Sequence, residues 1–378
     1  IDVLSNQFET SKNNIYCSKL ESEFNRFLNS KFSINHVNGT ATMHTALAAL
    51  DVKPDDEVIV TPLTMSSTSL AVLHNNSTPI FADVDKKTYN IDPKSIEKNI
   101  TKKTKAIISV SLYGLSPDYD AILKICDKHN LYLIEDNAEC ILGKYNGKNV
   151  GEFGHFSSYS FQASKHLTSG EGGMLTTNDE DLANKARRFS SLGYAGISAS
   201  KGKISKIDIQ DPNYDRHISV GFNYRMSELQ AAVVLGQIHR SKELLKIRND
   251  IAKIYDEVIE NQNLLIKQYI PSNCINSYWA YATHIDIDNQ SEWYNFRDLY
   301  LENGGDGFYA AWKLTYNEPL FQNEISKNKN IWQVYNENLC PNAEYLQKRI
   351  IPFNTKYFDL DFAKKEAEII DKTINQFI

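Results

Sequence analysis

Lys165 sits in the stretch SFQASKHLTSGEGG (160–173), directly after the strand-like run FSSYSF and ahead of a glycine cluster. A lysine held out of water can lose its proton and attack carbonyl groups, which is the requirement for a Schiff base. The glycines after it suit close backbone approach. In LIEDNAEC an apolar strand ends in Glu135 and Asp136, with Glu139 three residues on. A carboxylate at the buried end of a strand is costly unless a cation or a donor meets it. VNGTATMHTALAAL (37–50) opens a helix at Gly39-Thr40; free N–H groups, a glycine and a hydroxyl there make a cradle for an anion such as phosphate. Asn223, Tyr224 and Arg225 precede another helix in ISVGFNYRMSELQAA, and the planar fork of an arginine suits a carboxylate or phosphate. Taken singly, each also has a plainer reading: a surface lysine, a solvated turn acid, a capped helix, a helix-start arginine.

In combination the four point to one chemistry. An anion cradle, a strand-end carboxylate, a nucleophilic lysine and a second anion-binding cluster, in this order, are what pyridoxal 5′-phosphate (PLP) needs. The lysine forms the imine and the helix start takes the phosphate. The carboxylate keeps the pyridine nitrogen protonated, so that the ring can accept electrons.

The elements that must position these residues alternate. EVIVTP (57–62), PIFADVD (79–85), KAIISVSLYG (105–114), LYLIEDNAE (131–139), FSSYSF (156–161) and GGMLTTN (172–178) have strand composition. Between them SSTSLAVLHNN, NIDPKSIEKNI and DYDAILKICDKHN carry helical spacing behind Asp, Ser or Pro. Such alternation predicts an α/β domain around a largely parallel, buried sheet. The stretch 226–260, apolar every three or four residues and interrupted by one glycine, reads as long helical structure leading out of that domain. YWAYATHIDI, a helix-like SEWYNFRDLYLENGG, an Asn-rich middle and a closing amphipathic helix FAKKEAEIIDKTINQF predict a smaller α+β domain. The expected division is 1–244 for the cofactor-binding large domain and 245–378 for the small one.

A chain of 378 residues supports this large-plus-small arrangement. The net charge of −6 gives no electrostatic footprint for nucleic acid, so any anionic ligand must be held locally. No apolar run approaches the ~20 residues that span a bilayer, and IDVLSNQFETSKNN lacks a basic-then-apolar signal pattern. Five scattered cysteines without a CxxC pair fit reduced thiols in cytoplasm, and no metal site is expected.

At this point the chain resembles the DegT-type sugar aminotransferases of the fold-type I PLP enzymes. The stretches that carry the resemblance are NGTATMHTAL, DDEVIVTPLT, PIFADVD, KAIISVSLYG, LIEDNAE, SYSFQASKHLTSGEGGM and GFNYRMSELQAAV. It runs from about Tyr16 to the C-terminus and implies a large domain with a mostly parallel seven-stranded sheet. It makes Lys165 the Schiff-base lysine and proton carrier, Asp136 the partner of the pyridine nitrogen, and Glu139 a neighbour of the ring hydroxyl. Gly39, Thr40 and Ala41 with Ser160 would hold the phosphate. Asn223 would reach the phosphate from a neighbouring subunit with Arg225 beside it, so an obligate homodimer is implied.

Met65 stands where relatives place an aromatic residue over the cofactor ring; a thioether can cover a ring face, more loosely. Some relatives carry histidine in place of the lysine and dehydrate their sugar. Counting from Ser160 puts Lys165, not His166, in register, and this favours amination, with His166 near the substrate or behind it. In NGGDGFYAAWKLTYNEP (303–319), Asp306, Tyr309 and Trp312 are candidates to face sugar or nucleotide. The expected reaction is transfer of an amine from L-glutamate to a nucleotide-linked keto-sugar, a 4-keto-6-deoxyhexose, through a pyridoxamine phosphate stage. The product would be an amino-sugar for surface glycans. The alternatives are a PLP- or PMP-dependent keto-sugar 3-dehydratase and a non-catalytic regulatory protein of the same fold. A nucleotide-hydrolysing loop fails, since no GxxxxGK[ST] occurs.

Overall fold

The computed structural model describes residues 2–5, 14–309, 312–322 and 338–378. Of the stretches singled out above, Ile1, residues 6–13, Ala310, Ala311 and 323–337 lie outside the described residues. Seven strands build the main sheet: β1 (Phe32–His36), β2 (Glu57–Val60), β3 (Thr78–Phe81), β4 (Thr104–Val110), β5 (Tyr132–Asp136), β6 (Phe156–Ser160) and β7 (Gly173–Thr177). Their order is β1-β7-β6-β5-β4-β2-β3. Pairings from β6 through β3 are parallel, and only β7 runs against its neighbours, β1 and β6.

Side chains alternate across this sheet into separate cores. Val58, Val60, Ala106, Ile108 and Ile134 join one cluster with Met43, Leu47, Val72 and Ala186, which come from the Gly39–Ala49, Ser67–His74 and Glu180–Phe189 helices. Ile59, Ile107 and Leu133, the intervening residues, join another with Ile96, Ile122 and Cys126 from the Pro93–Lys98 and Tyr119–His129 helices. Strands covered on both faces have no polar side to show, and this is why they read as continuous apolar runs.

The helical stretch 226–260 is two helices, Glu228–Ile238 and Ser241–Ile259. The break falls at His239–Arg240 and not at Gly236, which stays helical with open space around it. The Gln237 side chain bonds both the N–H and the C=O of Thr168, tying the end of the first helix to the loop that follows Lys165.

A second antiparallel sheet is formed by β8 (Leu265–Lys267), β9 (Ala280–Ile285) and β10 (Ile350–Asn354), with β9 in the centre. The Ser241–Ile259, Gln290–Glu302 and Leu360–Phe377 helices pack on it around Tyr255, Phe296, Phe353 and Ile370. The Pro341–Gln347 helix returns to the main sheet instead, where Asn342 and Ala343 donate their N–H groups to Asp83.

Candidate active site

Asp136 ends β5, between β4 and β6, at the carboxyl edge of the parallel strands where α/β folds bind ligands. Its Oδ2 accepts from the Thr68 hydroxyl at 2.8 Å and its Oδ1 from the Ala138 N–H at 3.2 Å. Burial pushes its pKa up, opposed by these donors and by the Lys165 cation. Glu139, three residues further, is raised by burial too. There Lys165 and the Tyr113 N–H, which donates to Oε2 at 3.1 Å, oppose the rise.

Lys165 Nζ lies 3.3 Å from Glu139 Oε1, and both side chains are largely buried. It also stands 4.3 Å from the centre of the Trp279 ring. The indole is fixed by its own N–H, which donates at 2.9 Å to the carbonyl of Ser164, the residue before the lysine. Trp279, Tyr113 and Trp312 form a group of near-parallel rings with centres 5.9 to 6.3 Å apart, and Tyr309 is tilted at its edge. No motif in the sequence points to Trp279. What brings it here is the turn at Gly114, whose φ of +100° and close contact with the Tyr278 N–H leave no room for a Cβ.

The glycine cluster does make a close approach. A Cβ on Gly173 would lie 2.5 Å from the Asn38 carbonyl oxygen and 2.9 Å from the Gly39 nitrogen, so β7 presses against the start of the Gly39–Ala49 helix. On the other side a Cβ on Gly39 would meet Ser160 at 3.0 Å. Gly39 and Thr40 open the helix, where N–H groups have no helical acceptor. Ala41, expected beside them as a phosphate donor, has its N–H taken by the Asn38 side chain at 2.8 Å.

The remaining candidates are more dispersed. Met65 is half exposed and accepts the Ser67 N–H through its sulfur, just ahead of Thr68. Tyr224 joins its segment to the cradle, its carbonyl accepting from the Val37 N–H and its hydroxyl meeting His44. Asn223, beside it, is exposed, and Arg225 is partly buried. The His166 ring is buried, with Nε2 donating to the Ser277 carbonyl at 2.9 Å and burial holding its pKa well below the usual value. Its partner there is backbone, so a direct substrate contact is not what its surroundings offer. Asp306 accepts from Asn354 and the Tyr357 hydroxyl, both at 2.9 Å. Among the described residues no group of three or more His, Cys, Asp or Glu is set to hold a metal, and no helix is long and apolar enough to cross a membrane.

The mostly parallel seven-stranded sheet, with a lysine and two carboxylates at its carboxyl edge, is the architecture of the fold-type I aminotransferases. The chain belongs to the DegT/DnrJ/EryC1/StrS aminotransferase family, whose model matches residues 2–356. It is 36% identical over 269 residues to GDP-perosamine synthase of Caulobacter vibrioides, covering 71% of this chain and 68% of that protein. The spore coat polysaccharide biosynthesis protein SpsC of Bacillus subtilis is 36% identical over 268 residues, with the same two coverages. The solved aminotransferase from Psychrobacter cryohalolentis superposes with a TM-score of 0.85 at 31% identity, covering 99% of this chain and 95% of that one.

Proposed function

We propose that this enzyme moves an amino group from L-glutamate to a nucleotide-linked keto-sugar, a 4-keto-6-deoxyhexose, using PLP as its cofactor. The observation that carries the reading is the buried Lys165–Glu139 pair beside Asp136. The likeness to GDP-perosamine synthase supports the nucleotide-sugar class. The residues fit the cofactor: Asp136 keeps acceptor capacity on both oxygens for a ring N–H, and Gly39, Thr40 and Ser160 offer donors for a phosphate. Bound PLP supplies the electron sink that stabilises negative charge at the substrate carbon.

This chain's own residues do the rest. Lys165 would hold the cofactor, and its amine would take up and return a proton at the substrate carbon. Glu139 and the Trp279 ring hold Nζ in place between these events. Met65 would cover one ring face. Trp279, the ring beside Nζ, stacks with Tyr113 and Trp312, and Tyr309 and Trp312 would face the sugar nucleotide. The Asn223 segment and the helix after it expose Ile218, Val220, Phe222, Leu229 and Val233. An apolar surface of this kind suits a second copy. In such a homodimer, the partner subunit's Asn223 and the partner subunit's Arg225 complete the phosphate and substrate sites. A cytoplasmic enzyme supplying amino-sugar for surface glycans fits this chemistry.

Dehydration is the second reading. The backbone-tied His166 leaves Lys165 as the base beside the carboxylates, and this favours amination. The test is the visible spectrum of the protein with PLP, before and after L-glutamate, followed by the product mass. A yellow band that bleaches with glutamate, and a sugar that gains an amine, support the reading. A band that ignores glutamate, or a sugar that only loses a hydroxyl, overturns it.

A further inference from the structure

Behind the lysine loop lies a cavity of about 410 Å³. Ala163, Lys165, His166 and Thr168 form one wall, and Arg240, Leu244, Ile247 and Arg248 of the inter-sheet helix region face them. Lys356 and Phe358 line it as well, and no Asp or Glu among the described residues does. Asp136, Glu139, Ser160 and Trp279 are not part of its lining, although Lys165 is, and Lys356 also borders the neighbouring space beside Trp279 and Tyr309.

Arg248 is the unusual member. It is 6% exposed, yet it makes no ion pair among the described residues. All its hydrogen bonds run through Nη1, to the Trp279 and Tyr278 carbonyls and to the Thr355 hydroxyl. That leaves Nε and Nη2, the other donors of its fork, without an acceptor among the described residues. Neither nitrogen is among the described atoms buried without a partner, so this side of the fork is open to an anion entering the cavity. Lys356, exposed at the rim, adds a second cation, while Arg240 is already bonded to Glu243.

We propose that this cavity binds a small oxyanion, a phosphate or carboxylate group, with Arg248 as its main ligand and Lys356 at its rim. Leu244, Ile247 and Phe358 leave space for an apolar body attached to that head. Because the Lys165 loop forms a wall, an occupant here bears on the loop from behind, which makes the site regulatory in kind.

The experiment is calorimetric titration of the PLP-loaded enzyme with inorganic phosphate and, separately, with glutarate. Loading with PLP fills the cradle at Gly39. Saturable binding of one of the two probes is expected, and which one binds distinguishes a phosphate from a carboxylate source. Arg248→Met should weaken it about tenfold or more, and Lys356→Glu, at an exposed position where folding is safe, by a few-fold or more. Failure of both probes to bind the wild type, or undiminished binding to Lys356→Glu, would overturn the proposal. Lys356 also borders the space beside Trp279 and Tyr309, whereas Arg248 lines only this cavity of the two; a probe that L-glutamate displaces, or whose binding Arg248→Met leaves unchanged, would overturn the proposal, and absence of the yellow PLP band registers separately as failure of the cofactor reading.

Discussion

Lys165 and Glu139 form an ion pair at 3.3 Å in which the carboxylate side chain is only 4% exposed. A cation and an anion brought together out of water are costly to hold unless further hydrogen bonds offset the lost hydration, and Glu139 has one from the Tyr113 N–H. The amine is thereby held beside the acid. Lys165→Ala should lower turnover by about 100- to 10,000-fold, the span of a lost acid–base group, while circular dichroism stays that of the wild type. Robust amination by this variant would remove Lys165 from the mechanism.

Asp136 gives a pH signature without any substrate. Its folded-state pKa is raised by burial, so between its ordinary value of 3.8 and that raised value the folded chain binds more protons than the unfolded one. Stability contributed by the protonated form is present at low pH and lost as pH rises through this window. Thermal melting of the cofactor-free protein should show that falling limb flattened in Asp136→Asn. The same variant should slow turnover of the loaded enzyme, and wild-type rates in it would show that another group serves the ring nitrogen.

Gly173→Ala places a methyl group 2.5 Å from the Asn38 carbonyl oxygen. Backbone on both sides has to move, at a cost of about 1–3 kcal/mol, typical of overpacking. Since the displaced backbone is the helix start at Gly39, PLP affinity should fall along with melting temperature. A variant that melts earlier but binds PLP as tightly as the wild type would separate Gly173 from the cradle.

Lys165→Ala and Asn223→Ala, each expected to be inactive alone, should complement when mixed and refolded together. In the proposed homodimer a hybrid would hold one site with both residues intact, and random pairing would restore about a quarter of the sites. Absence of recovery, with hybrid dimers demonstrated, would place Asn223 in its own chain's site or in none.

Glu21 and Arg187 form a two-pronged buried pair, at 2.6 and 2.7 Å, and Glu21 also accepts from the N–H and side chain of Asn35 in β1. Glu21→Ala strands the guanidinium, and equilibrium unfolding should show a loss of about 3–5 kcal/mol.

All six strands read from sequence are in the sheet: β2 to β5 announce themselves by apolar runs, while β6 (FSSYS) and β7 (GMLTT) bury Ser and Thr beside aromatic and aliphatic residues. Strand β1, FSINH, carries no such signal: it is an edge strand whose Ser33 and Asn35 are polar, with Asn35 bonded to Glu21. The chemistry of Lys165, Asp136 and the Gly39 cradle is legible because each lies within a short motif. Thr68, Tyr113 and Trp279 are not legible, because their roles arise from contacts between distant stretches of the chain, set by the sheet and by the Gly114 turn.

The tandem acids of β5 show how far the sheet decides matters that the local sequence leaves open. Glu135 accepts from the N–H groups of Gly151, Phe153 and Gly154 and from the Ser157 hydroxyl, and is fully engaged in holding that turn. Neighbouring residues of a strand point to opposite faces. A slip of one residue in the β4–β5 register would turn each carboxylate to the opposite face of the sheet, taking Asp136 from Thr68 and Glu135 from its turn. The choice of acid is thus made by strand pairing, and an insertion far from the lysine, in the helix before β5, would be enough to unmake it.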